Sequence, residues 1–153
     1  MFIARILVPT DFSADASAAL DYAQELARPF GASVCLLHVV EDPLAAGAWS
    51  SDMYTAEIAG LQINVVRDAA QRLQEFVPPG AGWMTTEVRT GPAAREILAV
   101  AQERKVDLIV MGTRGRTGLA HLLLGSVAER VVRMARCPVL TLHAPEKAHA
   151  AVA

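Results

Sequence analysis

The sequence is poor in cysteine. Cys35 and Cys137 are the only two, and neither has a second cysteine or a histidine at zinc-finger spacing. A disulfide scaffold and a zinc module are therefore excluded. Each thiol sits in or beside an apolar strand pattern and reads as a small buried hydrophobe in a reducing compartment. Net charge is also scarce: 14 basic against 16 acidic side chains leave −2, with the signs interleaved. An extended basic footprint for nucleic acid is absent, and no nucleic-acid partner is expected. No apolar run approaches the ~20 residues of a membrane span. The opening "MFIARILVPTDFS" enters a strand-like run without a basic n-region and a cleavable apolar stretch. No signal peptide is expected, and a soluble cytoplasmic protein is the default. Several catalytic signatures are missing too. There is no Walker A lysine, no G-x-G-x-x-G, no kinase-like set, and no G-x-S-x-G elbow, since Ser126 lies in "LLGSVA".

What is present points to one globular α/β domain. Hydrophobic residues make up 53% of the 153 and mean hydropathy is +0.31, enough apolar matter to bury a core. Much of it is alanine, which suits closely packed helices. Residues 3–9 read as a first strand. Ser13 is a candidate N-cap with Asp15 in the first turn of a helix whose face is Ala19, Tyr22, Ala23, Leu26 and Ala27. Pro29 and Gly31 mark its end. Residues 32–40 form a second, almost wholly apolar strand, and 41–52 a loop. Ile58, Leu61, Val65, Ala69, Leu73 and Phe76 step by three or four along a second helix. Residues 83–90 make a third, more polar strand suited to a sheet edge. Gly91-Pro92 opens a third helix with Ile97, Leu98 and Ala101 inward. Residues 106–112 are a fourth strand, and a glycine-rich segment leads to a fourth helix with Val127, Val131 and Met134 or Ala135 inward. Residues 137–143 are the fifth strand, and 144–153 a frayed tail beyond a domain of 1–143. Strict β-α alternation predicts a parallel sheet with helices on both faces.

The glycine segment reads Gly112-x2-Gly115-x9-Gly125-Ser126. Ligands of open parallel sheets sit beyond the carboxyl ends of the strands, where strand order reverses. A glycine at a strand end permits a sharp turn or close ligand approach. Gly125-Ser126 stands before the last helix, and free N–H groups at a helix N-terminus bind phosphate. Such groups, Arg114 or Arg116, and a metal would replace a Walker lysine. The same residues fit a plain surface loop, with Ser126 capping a helix and nothing more. If strands 1 and 4 are neighbours, Pro9-Thr10-Asp11 and Met111-Gly112 rim one crevice.

These residues carry a resemblance. The chain resembles the single-domain universal stress proteins, whose signature G-x2-G-x9-G-[ST] is met by Gly112, Gly115, Gly125 and Ser126. "ILVPTDFS", "LLHVVE", "GPAAREIL", "DLIVMGTRGRTG" and "LLGSVAERVVRMARCPVL" extend the likeness from residue 3 to 142. The resemblance implies an open, Rossmann-like five-stranded parallel sheet, order 3-2-1-4-5, of the adenine nucleotide alpha hydrolase type. It implies ATP as ligand. Pro9, Thr10 and Asp11 would border adenosine, and Val39 would offer its backbone to the adenine edge. Met111 and Gly112 would flank base and ribose. Gly115, Gly125, Ser126 and Val127 would hold the phosphates, with Mg²⁺ carried on them among waters. Arg114 stands where many relatives have histidine, and so departs from the pattern. In that strand order Cys35 and Cys137 lie roughly 14 Å apart at ~4.8 Å per strand, beyond the ~7 Å reach of a disulfide.

The expected role is an ATP-binding regulator or sensor in stress response. The alternatives are a slow ATPase or phospho- or nucleotidyltransferase, and a dimeric assembly module with structural ATP. Ser126, His38, His121, His143 and Asp11 make no recognisable hydrolytic set, so no catalytic residue is assigned. His38 reads as a hydrogen-bonded structural residue and His121 as a loop residue. A homodimer is expected through strand 5, where Val139, Leu140, Thr141 and Leu142 form an edge free of charge and interior proline.

Overall fold

The computed structural model describes residues 2–41, 56–113 and 124–144. Nine elements alternate along them: β1 (Arg5–Thr10), α1 (Ala14–Phe30), β2 (Ser33–Val40), α2 (Ala56–Gln74), β3 (Met84–Thr90), α3 (Ala93–Glu103), β4 (Leu108–Gly112), α4 (Ser126–Met134) and β5 (Val139–Leu142). The strands form one sheet in the order β3-β2-β1-β4-β5. All pairings are parallel, with Ile6 facing Val34 on one side and Leu108 on the other. Polar β3 is an edge strand, as its sequence suggests.

Period-two alternation divides the core into two layers. Ile6, Val8, Val34, Leu36, Leu108 and Val110 face α1 and α2, where they meet Ala19, Leu20, Ala23 and Leu73. Leu7, Leu37, Ile109 and Met111 face α3 and α4, where they meet Ile97, Val100, Ala128 and Val131. Helix α1 starts on Ser13, whose hydroxyl accepts the N–H of Ala16 at 3.3 Å. It runs one residue past Pro29 and stops at Gly31, held at φ 60° in the left-handed region that glycine enters without strain. Asp107 ties the two central strands at their start, accepting the N–H groups of Ala4 (3.0 Å) and Arg5 (2.8 Å).

Three expectations about helix faces need correction. Tyr22 is exposed, because the buried stripe of α1 centres on Ala16, Ala19, Leu20, Ala23 and Ala27. Leu61 and Val65 of the α2 stripe are exposed, while Ala69 and Leu73 are buried. Of the pair Met134 or Ala135 at the end of α4, Ala135 packs against the core and Met134 is exposed, with Ala128 buried beside Val131. The ladder at β5 starts at Pro138, whose carbonyl accepts Ile109 N–H at 3.0 Å.

Both cysteines are free thiols. Burial pushes each thiol above its ordinary value. Edge strand β3 is tied to the end of α3 by charge: Glu87 pairs with Arg89 and Arg104, and Arg89 reaches Glu103 at 2.6 Å. Burial raises the Glu87 carboxyl, but hydrogen bonds from the two arginines outweigh it and hold the group below its ordinary value. No helix among the described residues is long and apolar enough to cross a membrane.

Candidate functional site

Strands β1 and β4 are neighbours, and the chain leaves them toward opposite faces, into α1 and α4. Beyond the ends of the two strands lies a crevice of about 830 Å³, within the ~300–1,000 Å³ typical of small-molecule sites. Pro9, Thr10 and Asp11 line it from β1 and Val39 from β2. Met111 and Gly112 line it from β4, and Gly125, Ser126 and Val127 from the start of α4. Nine of the residues singled out in the sequence thus share one wall-to-wall space. Arg114, Gly115 and His121 lie outside the described residues.

The turn after β1 is held by its own side chains. Thr10 Oγ1 accepts the N–H of Phe12, and Asp11 Oδ1 accepts the N–H of Ser13, each at 3.0 Å. Phe12 sits at φ 64°, a left-handed conformation costly for an aromatic residue. Its ring compensates by packing: the His38 ring lies 4.6 Å away, that of Phe76 6.1 Å, and the Arg72 guanidinium caps it at 4.1 Å. His38 Nδ1 lies 2.8 Å from the Thr10 carbonyl oxygen. A carbonyl only accepts, so Nδ1 carries the proton. The histidine is a structural brace, as read from the sequence, though it also lines the crevice.

Strand parity settles which way Val39 faces. Ser33 N–H donates to Ala4 on the β1 side, and Val34 N–H to Trp83 on the β3 side. Odd residues of β2 therefore turn their backbone groups toward β1. Strand β1 ends at Thr10, one step short of Val39. The next donor that the ladder would bring to the Val39 carbonyl is Phe12 N–H, which bonds Thr10 Oγ1 instead. The Val39 backbone groups thus lie on the β1 side of β2, past the end of the β1 ladder, and Val39 lines the crevice.

The opposite end of the crevice belongs to α4. Its N-cap is Gly125, which supplies no side-chain cap, so Ser126 is the first helical residue and not the cap. The first intrahelical bond runs from Glu129 N–H to the Gly125 carbonyl at 2.8 Å. Ser126, Val127 and Ala128 thus precede it, with their N–H groups at the positive end of the helix dipole. Gly125 stands at φ −71°, ψ 156°, ordinary extended backbone. No glycine-specific conformation is required there. The other helix starts around the crevice carry acid in place: Asp15 on α1 and Glu96 on α3. Glu129 of α4 turns outward to Arg133 at 3.0 Å.

Gly112 has a different reason from the one its motif suggests. A Cβ there would meet the Cβ of Asp15 at 2.8 Å and Ala16 N at 3.0 Å. The missing side chain makes room for α1. Sequence reading also missed Thr113, Ala93 and Ile97, which line the same space. For the α3 residues the signal was Gly91-Pro92, which places a helix start at this end of the sheet.

The titratable side chains on the wall are Asp11, His38 and Glu41. No group of three or more metal-ligating side chains occurs among the described residues.

Comparison with known proteins agrees with this geometry. Residues 3–143 match the model of the universal stress protein family. The chain is 37% identical over 148 residues to universal stress protein MJ0531 of Methanocaldococcus jannaschii, covering 94% of this chain and 84% of that protein. It superposes on the solved structure of MJ0577 from the same organism with a TM-score of 0.79 at 27% identity, covering 94% of this chain and 97% of the other. A universal stress protein solved in complex with cAMP gives a TM-score of 0.61 at 25% identity, with 94% and 99% covered.

Proposed function

Because the chain belongs to the universal stress protein family, we propose that its crevice binds ATP and that the protein acts as a nucleotide-dependent regulator or sensor in stress response. One observation carries this reading: the N-terminus of α4, whose cap residue Gly125 has no side chain, opens onto the same crevice as Asp11 and Val39. The adenine amino group donates to Val39, and Asp11 accepts from ribose or base. The phosphates lie against Gly125, Ser126 and Val127, where N–H groups, the serine hydroxyl and the helix dipole offset their charge. Arg114 and Gly115, outside the described residues, are proposed to contribute to phosphate binding as well. The family member solved with cAMP is a precedent for an adenine nucleotide on this fold. Mg²⁺ rides on the phosphates and neutralises part of their charge, with water in its remaining positions.

Nδ1 of His38 is committed to Thr10, and Asp11 Oδ1 to Ser13. Binding, with hydrolysis slow at most, is the activity proposed. The protein also pairs with a second copy through Val139, Leu140, Thr141 and Leu142, since β5 is the unpaired edge next to β4. Mass spectrometry of small molecules released from the purified protein, followed by calorimetry with Mg-ATP, tests the reading. A protein that releases no nucleotide and shows no binding heat with Mg-ATP overturns it.

A further inference from the structure

We infer that Asp15 is a positioning residue that couples the nucleotide crevice to the C-terminal end of β5, so that ligand occupancy and order at that strand end control one another. The inference rests on the nucleotide reading given above.

Asp15 is the one charged residue in the buried core among the described residues, 7% exposed. A carboxylate buried so deeply requires partners. Its place in the first turn of α1 suggests local capping, but Ser13 already caps that helix. Asp15 instead uses its oxygens on distant segments. Oδ2 accepts the Thr113 hydroxyl at 3.0 Å and His143 Nδ1 at 3.1 Å, and Oδ1 accepts Ala144 N–H at 3.0 Å. An ionised carboxylate only accepts, so His143 Nδ1 bears the proton. That nitrogen also lies 3.1 Å from Thr113 Oγ1, closing a triangle of three side chains.

Thr113 makes this triangle matter to the crevice. Its carbonyl accepts Gly125 N–H at 2.7 Å, which fixes the cap of α4. Its own N–H donates to the Leu142 carbonyl at 2.8 Å, which fixes the end of β5. Its hydroxyl is held by Asp15. Beneath it, Gly112 rests on the Asp15 backbone with no room for a Cβ. Thr113, Gly112 and Ala16 all line the crevice. A displacement at His143 or Ala144 therefore reaches the phosphate end through one residue, and a ligand that fixes Gly125 fixes β5 in return. Linkage makes the two effects equal in free energy.

The test compares wild type, Asp15→Ala and Asp15→Asn by calorimetry with Mg-ATP and by amide hydrogen exchange with and without it. In wild type, Mg-ATP slows exchange at Ala144 and at the end of β5. In Asp15→Ala, affinity falls about tenfold, within the range typical of coupled sites, and the nucleotide-dependent slowing at Ala144 disappears. Asp15→Asn keeps an acceptor oxygen and restores part of both. Asp11→Ala weakens binding but leaves exchange at Ala144 in the nucleotide-free protein unchanged. Wild-type affinity in folded Asp15→Ala, or nucleotide-dependent slowing at Ala144 that survives in it, overturns the coupling. A wild type that does not bind Mg-ATP overturns the nucleotide reading, and the coupling with it. Should Asp15→Ala fail to fold, Thr113→Val removes only the hydroxyl. It is expected to uncouple the two readouts in the same way, and its failure to do so is equally decisive against the coupling.

Discussion

Gly112 and Asp15 approach so closely that a single added methyl group on the glycine would lie 2.8 Å from one carbon of the aspartate and 2.9 Å from another. One of those carbons belongs to the backbone at the start of α1, which cannot swing away as a side chain tip can. Gly112→Ala should therefore destabilise the protein by about 1–3 kcal/mol, as overpacking does. The loss should appear in urea unfolding without any nucleotide. Unchanged stability would show that α1 yields at no cost.

Gly125 should behave in the opposite way. Its backbone is extended and suits any residue, so Gly125→Val should leave urea stability within about 0.5 kcal/mol of wild type, the usual range for surface changes. Mg-ATP affinity should fall by more than tenfold, because a branched side chain would stand at the start of α4. Ser126→Ala should lose only a few-fold, one neutral hydrogen bond contributing about 0.5–1.5 kcal/mol. Calorimetry of both variants decides, and full affinity in Gly125→Val removes α4 from the phosphate site.

Asp11→Ala should weaken ATP and adenosine alike, by about 1.5–3 kcal/mol for a hydrogen bond to a charged group. Some of that loss reflects the turn, because Asp11 Oδ1 also holds Ser13 N–H. Asp11→Asn retains that bond and isolates the ligand contribution. A loss confined to phosphate-bearing ligands would move Asp11 to the metal or phosphate end.

At β5 the even residues face β4, since Pro138 and Leu142 accept from Ile109 and Thr113. Val139 and Thr141 thus turn their backbone groups to the open edge. Thr141→Pro removes an outward N–H and leaves the β4 ladder whole, so it should shift a homodimer to monomer without unfolding the sheet. Leu140→Lys is a poorer probe, because Leu140 packs against the core beside α1. Analytical ultracentrifugation at tens of micromolar is the check. A monomeric wild type, or a dimer indifferent to Thr141→Pro, excludes this interface.

Glu87 gives a dependence on acid. Its carboxyl is held below the ordinary value by Arg89 and Arg104 against the effect of burial. A group depressed in the folded state contributes fully above its unfolded value, about 4.3, and loses that contribution as pH falls toward its folded value. Glu87→Gln should therefore lower stability at pH 7 by about 1 kcal/mol, the upper end for partly exposed pairs. The difference from wild type should vanish in strong acid. Thermal unfolding from pH 7 to pH 2 reads it directly.

The elements were legible because each is written in local pattern: apolar runs for parallel strands, Ser13 and Gly31 at the ends of α1, Gly91-Pro92 before α3. The crevice was legible because its residues cluster at two strand ends and one helix start. What local pattern could not carry is contact across long stretches of chain. Asp15 in a first helical turn is already accounted for by the helix dipole, and nothing nearby signals partners 98 to 129 residues away. Gly112 belongs to a ligand motif, which hid its role in seating α1. Phe12 shows no glycine-like sign of its left-handed backbone, because packing on His38, Phe76 and Arg72 enforces it. Tyr22 and Met134 show the limit of periodicity itself: it marks a face but not how far the sheet extends beneath it.

The place of β1 also sets a timetable. It pairs on one side with β2, whose Ser33 follows Arg5 by 28 residues, and on the other with β4, whose Leu108 faces Ile6 from 102 residues later. During synthesis the β1–β2–β3 half can close while one long edge of β1 stands bare, waiting for a strand not yet made. Asp107, which secures Ala4 and Arg5, arrives just ahead of that strand. Contacts of such separation fold slowly, and the exposed edge invites the wrong partner meanwhile. A nascent chain stalled between α3 and β4 would thus be the species most in need of a chaperone, since β4, α4 and β5 would still be missing from the sheet.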